Sequence, residues 1–189
     1  LPSRAEAHWS VEVTDELGEQ AISPPASWEV GLREPGDWLA SWIGRPAHWP
    51  SGPGVPTTLL RTTFSLPAGA SRARLYITAL GIYEARCNGT RVGDDRFTPG
   101  WTDYDHRLQY QVHDVTNLVA VGDNVLAVEL ADGWYAGYVG FLGREIYGRD
   151  PQLLAQLVVD HADGTSTSVV SDETWQIAPS GRRTDLLMG

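Results

Sequence analysis

Three observations predict an all-β protein, an antiparallel β-sandwich of the jelly-roll type. Apolar residues recur at period two through almost every periodic stretch, which lines one face of a strand rather than one stripe of a helix. Asn-Gly, Asp-Gly and Gly-Asp pairs separate those stretches at short intervals, as tight hairpins demand. No ten-residue segment carries helical spacing; DVTNLVAVG (114–122) has room for one short turn. Many short strands joined by tight turns close into a sandwich or jelly roll.

The elements follow in order. AHWSVEVTDELGEQ and PPASWEVGL read as two strands with a loop between them. Two strands cannot make an independent domain. Residues 1–32 are therefore expected to form a strand pair outside the main core, either an appendage or the tail of a preceding domain. REPGDW marks a boundary, giving a segment 1–35 and a sandwich over 36–189. RPAHWPSGPGVP (45–56) reads as a loop. RARLYITAL (72–80) alternates Ala73, Leu75, Ile77 and Ala79, then restarts as IYEARCNG. Asn88-Gly89 predicts a two-residue hairpin into TRV. RLQYQVHDV (107–115) puts Leu108, Tyr110 and Val112 on one face. NVLAVELA (124–131) puts Leu126, Val128 and Leu130 on one face, with Val125, Ala127 and Glu129 opposite. QLLAQLVVD (152–160) is apolar throughout, as a central strand is. STSVVSD and TWQIA close the series after the Asp163-Gly164 turn.

Composition excludes several functions. The net charge of −10 argues against nucleic acid and anionic membranes, which need basic patches. No run of 18 apolar residues is present. LPSRAEAHW lacks the basic and apolar regions of a signal peptide, and the compartment stays open between cytoplasmic and secreted. Cys87 is the single cysteine, so no intrachain disulfide forms, and the thiol reads as a small buried hydrophobe. P-loop, dinucleotide-binding, HExxH and GxSxG motifs are missing, and the five histidines show no zinc spacing. Asn88-Gly89-Thr90 matches a glycosylation sequon, which the hairpin explains better.

The chemistry concentrates between Gly93 and Pro151, where loops rich in Trp, Tyr, Asp and Gly punctuate the strands. Loops presented by a rigid scaffold carry function. Aromatic faces beside carboxylates suit a sugar or a calcium ion. The plainer account makes Trp101 and Trp134 core aromatics. It also makes Asp94, Asp95, Asp103 and Asp105 turn formers. The acidic spacing is not that of an EF-hand. Glu84, Glu129 and Glu145 could supply a glycosidase pair, but carboxylates are too common in this chain to single them out.

ARLYITALGIYEARCNGTRVGDD, FTPGWTDYDHRLQYQVHDVTNL, DNVLAVELADGWYAGYVGF and IYGRDPQLLAQL, in this order, strongly resemble the N-terminal β-sandwich region of bacterial α-L-rhamnosidases. The resemblance covers residues 36–189 and implies a galactose-binding-like jelly roll. Residues 1–35 resemble the end of a fibronectin-type-III-like domain, as if the chain begins mid-domain. DLLMG falls where such proteins continue towards a catalytic (α/α)6 barrel. The family's catalytic carboxylates lie on that barrel, so the resemblance implies a non-catalytic accessory region and a glycoside hydrolase as parent. Some family members hold L-rhamnose through calcium on this sandwich, which makes rhamnose-containing glycans the implied partners. Carried over, the implied sugar contacts are Trp101, Trp134, Tyr135, Glu145, Tyr147 and Pro151, and the implied calcium ligands are Asp103 and Asp105. This chain carries His106 and Glu145 where amides are expected, and imidazole is a poor calcium ligand. A spacer packing on the barrel, binding nothing, is the rival reading. An independent glycoside-active enzyme is the third, and needs two carboxylates about 5–9.5 Å apart in a cleft.

Overall fold

The computed structural model describes residues 1–183. DLLMG, at which the resemblance places the passage towards the barrel, lies outside them. The chain divides into two compact units, Leu1–Leu39 and the remainder from Ala40, four residues beyond the boundary read from REPGDW.

The first unit holds four short strands where the sequence suggests two: β1 (Glu6–Trp9), β2 (Glu12–Thr14), β3 (Gln20–Ile22) and β4 (Ala26–Glu29). They form two separate antiparallel pairs, β1 with β4 and β2 with β3. Asp15 makes the difference. Its carboxylate accepts from the Leu17 and Glu19 amides at 2.8 Å each. That turn folds the predicted long strand back on itself. The Asp37 carboxylate ties the ends of the unit, accepting from Ser3 Oγ at 2.5 Å and from the Arg33 and Glu34 amides.

The second unit is all-β. In chain order it runs β5 (Ile43–Gly44), β6 (Pro56–Leu66), β7 (Ala70–Leu80), β8 (Ile82–Cys87), β9 (Thr90–Arg91), β10 (Gln111–Asp114), β11 (Gly122–Ala131), one helical turn α1 (Gly133–Ala136), β12 (Gln152–His161), β13 (Ser166–Val170) and β14 (Gln176–Arg183). One sheet has the order β10-β7-β12-β13, with β5 also on β12; the other has β14-β6-β11-β8-β9. Every pairing is antiparallel. The predicted β-sandwich is present.

The alternation read from the sequence supplies the core. Leu75, Ile77 and Ala79 of β7 meet Leu126, Val128 and Leu130 of β11 and Leu153, Leu157 and Val159 of β12 in one buried cluster. Each fully buried Leu or Ile stabilises by roughly 1.5–3 kcal/mol. The chain switches sheets between β7 and β8 at Gly81, where φ is +133° and a β-carbon would lie 2.4 Å from the Ala131 carbonyl oxygen. Only glycine turns this corner without strain.

Asn88-Gly89 forms the predicted hairpin, with φ +50° and +82° and Cys87 paired to Thr90. Both residues have the positive φ of a type I′ turn. The Asn88 side chain also reaches Leu118 O, Asn124 Oδ1 and the Val125 amide at 2.8–2.9 Å. Cys87 is buried, and burial pushes its thiol up. That is the environment of an inert core residue.

The reading of 107–115 requires correction. Only Gln111–Asp114 is strand, and its phase is inverted: Val112 is 40% exposed, while Gln111 and His113 are half-buried. β10 is an edge strand beside β7, and polar partners decide its inner face. The Tyr83 hydroxyl donates to Gln111 Oε1 at 2.9 Å, and Gln111 Nε2 donates to Pro99 O at 3.2 Å. A satisfied glutamine is tolerated inside, so the apolar alternation loses its grip on this edge.

Candidate functional site

β11 delivers the chain to the first loop. Asp132 follows its last residue, and α1 then carries Trp134 and Tyr135. Gly133 stands at φ +55°, with a virtual β-carbon 2.8–3.0 Å from Ile82 and Gly81 atoms. The turn therefore lies backbone against backbone on the sheet-switching corner. Asp132 forms an ion pair with Arg144, the two side chains being only 6% and 11% exposed. The Arg144 guanidinium also covers the Tyr138 ring at 5.2 Å. This pair closes the loop 133–143 at its base.

The second loop, 93–110, lies against the first. Trp101 stacks on Trp134 with centroids 6.3 Å apart and planes at 15°. Phe97 meets Trp134 edge-on at 6.2 Å. Tyr104 meets Tyr135 at 5.5 Å and Tyr147, from the third loop, at 5.1 Å. Gly148 of that loop is pressed on Tyr135, since a β-carbon there would fall 2.1 Å from the hydroxyl. The loop 93–110 and the two consecutive loops of the β11–β12 connection, remote from it in sequence, thus share one aromatic surface. Trp101 is 55% exposed and Trp134 half-buried, so neither belongs to the sandwich core.

The proposed contact residues divide. Trp101, Trp134, Tyr135 and Tyr147 come together. Glu145 is exposed at φ +60°, its amide donating to Ala136 O at 3.3 Å. Pro151 is buried at the foot of β12, its carbonyl beneath the Gly44 position. Phe97 and Tyr104 escaped the sequence reading. Their signal was an aromatic residue set among Asp, Arg and Thr in a loop, but nothing local tells which loop it will meet.

Burial lifts the Tyr135 hydroxyl above its ordinary pKa, and the nearby carboxylates of Asp150 and Asp105 add to the shift. Burial beside Tyr147 pushes Tyr104 up to about 12. These hydroxyls stay protonated near neutrality and can donate. Asp103 is occupied by its own turn. Its carboxylate takes the Asp105 amide at 3.2 Å and faces His106 Nδ1 at 3.0 Å, while its carbonyl takes the amides of His106 and Arg107. Among the described residues, no three His, Cys, Asp or Glu side chains are grouped as a metal requires. Calcium takes six to eight oxygens, and Asp103 with Asp105 does not fit a cage made by the protein alone. Glu84 and Glu129 face one another across β8 and β11, each bound to arginine: Glu84 to Arg86 at 2.8 Å, Glu129 to Arg182 at 2.8 Å.

Comparison with known proteins gives a consistent answer. The model of the alpha-L-rhamnosidase N-terminal domain family matches residues 68–186. An alpha-L-rhamnosidase of Streptomyces avermitilis is 46% identical over 185 residues, covering 88% of this chain and 18% of that protein. The alpha-L-rhamnosidase structure from Aspergillus terreus superimposes with a TM-score of 0.88 at 38% identity, over 95% of this chain and 21% of its own. The Streptomyces avermitilis enzyme solved in complex with L-rhamnose gives a TM-score of 0.70 at 40% identity, over 94% of this chain and 19% of its own. The chain spans about one fifth of the length of these relatives. A family match across more than half of the sequence, together with the shared sandwich, shows that the chain belongs to the alpha-L-rhamnosidase N-terminal domain family.

Proposed function

We propose that this chain is a non-catalytic N-terminal region of an α-L-rhamnosidase whose (α/α)6 barrel hydrolyses terminal α-L-rhamnosides, and that its loop face holds L-rhamnose. One observation carries the binding reading: Trp101 is half-exposed and backed by Trp134, a rigid flat surface beside Tyr135 and Asp105. An aromatic face covers the apolar side of a deoxysugar, while hydroxyl and carboxylate groups take its oxygens. Because Trp101 covers one face of Trp134, the ring that meets the sugar is Trp101. Calcium enters only as an ion shared with the sugar, with Asp105 supplying an oxygen and the vicinal hydroxyls supplying others.

The rival reading, a spacer that packs on the barrel, draws support from Asp103, whose carboxylate is already taken by its own turn. Calorimetric titration with L-rhamnose, with calcium and with a chelator, separates the two. Binding heat that disappears in Trp101→Ala, at unchanged thermal stability, supports the sugar site. Silence under both conditions supports the spacer. Neither reading gives turnover of an aryl α-L-rhamnoside by this chain. Turnover that vanishes on mutating one of its own carboxylates would overturn both.

A further inference from the structure

A second concavity adjoins the loop face at Phe97 and runs over the outer side of the sheet that holds β6, β11 and β8. It encloses about 260 Å³ and is walled at one end by Phe97. That volume lies just under the ~300–1,000 Å³ usual for small-molecule sites, so it suits a single sugar ring. Its charge is opposite to that of the chain. Four arginines (Arg91, Arg96, Arg182 and Arg183) line it against three carboxylates, in a chain of net charge −10.

The carboxylates are already neutralised unequally. Glu129 is held by Thr57 Oγ1 at 2.6 Å, Ser180 Oγ at 2.9 Å and Arg182 at 2.8 Å. Glu84 takes Arg86 at 2.8 Å and Arg91 at 3.5 Å. Among the described residues, Arg96 and Arg183 bond only backbone carbonyls, those of Asp94, Asp95 and Gly54. A guanidinium has five N–H donors in a fork that matches a carboxylate. Neither fork pairs with a carboxylate of the groove; Asp95, the third acid of the lining, acts on Tyr83 and His113, and four arginines against three carboxylates leave one unit of positive charge in excess.

Phe97 adds the apolar element. Its ring is 56% exposed, and its backbone stands at φ +57°, a conformation unusual for a bulky residue. The ring is propped edge-on by Trp134. From these observations we infer that the groove binds a carboxylated sugar, a uronate. The ring's C–H face lies on Phe97, the carboxylate is taken by Arg96 and Arg183, and hydroxyls donate to the remaining lone pairs of Glu84. The inference stands whether or not the loop face holds L-rhamnose.

The test is an amide-resolved NMR titration of the full chain with D-glucuronate, D-glucose and acetate. Glucuronate is expected to give saturable shifts centred on Glu84, Arg96, Phe97 and Glu129, while glucose and acetate bind at least tenfold more weakly. Arg96→Gln with Arg183→Gln, both at exposed positions, should weaken glucuronate binding tenfold or more and leave the rest of the spectrum in place. Phe97→Ala should weaken it independently. Equal response to glucose shows that the arginines do not select, equal response to acetate shows an adventitious ion only, and retention of affinity in the double variant removes the site. Any one of these overturns the inference.

Discussion

Replacing Gly133 by alanine tests whether the loop face is set by backbone packing under α1. Two penalties are worked from the structure. Gly133 stands at φ +55°, where a β-carbon costs about 1–2 kcal/mol. The new methyl would also lie 2.8 Å from Ile82 Cγ2, 2.9 Å from the Gly81 carbonyl carbon and 3.0 Å from the Ile82 amide nitrogen. Two of those atoms are backbone and cannot rotate away, so overpacking adds about 1–3 kcal/mol. Reduced freedom of the unfolded chain returns about 0.4–1 kcal/mol. The net expectation is a loss of roughly 1–4.6 kcal/mol, or roughly 2–18 °C in Tm for a chain of this size. Gly164→Ala is the control: φ is +84° and nothing lies within 4 Å of its virtual β-carbon. It should lose about 1 kcal/mol. Urea denaturation followed by tryptophan fluorescence measures both, and near-UV circular dichroism should report a disturbed stack of Trp101 on Trp134 in Gly133→Ala alone. Equal losses in the two variants would refute the packing argument.

Three further outcomes are expected. Arg144→Met takes the guanidinium from the buried Asp132 carboxylate and should cost up to about 3–5 kcal/mol, with Asp132→Leu added to it restoring part of the loss; thermal denaturation of both variants decides this, and a silent Arg144→Met would show that the pair does not close the loop. Burial lowers the His113 pKa from 6.5, against the opposing pull of Asp95. The unfolded chain then binds more protons below that value, so stability is full above pH 6.5 and falls as pH drops through it; urea midpoints between pH 8 and 5 should show this slope, and His113→Gln should flatten it. Asn88→Ala loses three side-chain hydrogen bonds, at about 0.5–1.5 kcal/mol each, and should lower the urea midpoint accordingly; a loss below about 0.5 kcal/mol would show that the hairpin does not depend on that network.

Much of the sandwich was legible. β7 and β11 follow their apolar alternation and β12 its unbroken apolar run, because in a strand packed against the facing sheet burial is the dominant free-energy term. β10 did not follow, because at an edge one glutamine satisfied by Tyr83 outweighs a weak apolar phase. The first strands also misled, because the Asp15 turn interrupts an alternation that reads as continuous. The site was half legible. Loops dense in aromatic residues and Asp marked where to look, and the family resemblance pointed to Trp101, Trp134, Tyr135 and Tyr147. Nothing local tells that Tyr104 bridges Tyr135 and Tyr147, or that Pro151 goes under the sheet corner instead.

By itself, then, the sequence determined what depends on near neighbours. Strand identity, the Asn88-Gly89 hairpin, the charge, the solitary thiol and the family motifs all rest on residues a few positions apart. Tertiary structure alone decided what depends on distant residues meeting. The groove draws Thr57, Glu84, Arg96, Glu129 and Arg183 from five separate segments. Its unbalanced arginines emerge only after Glu84 and Glu129 have chosen their partners. The physical reason is that backbone periodicity is a short-range property, whereas stacking and charge neutralisation act across whatever space the fold has closed.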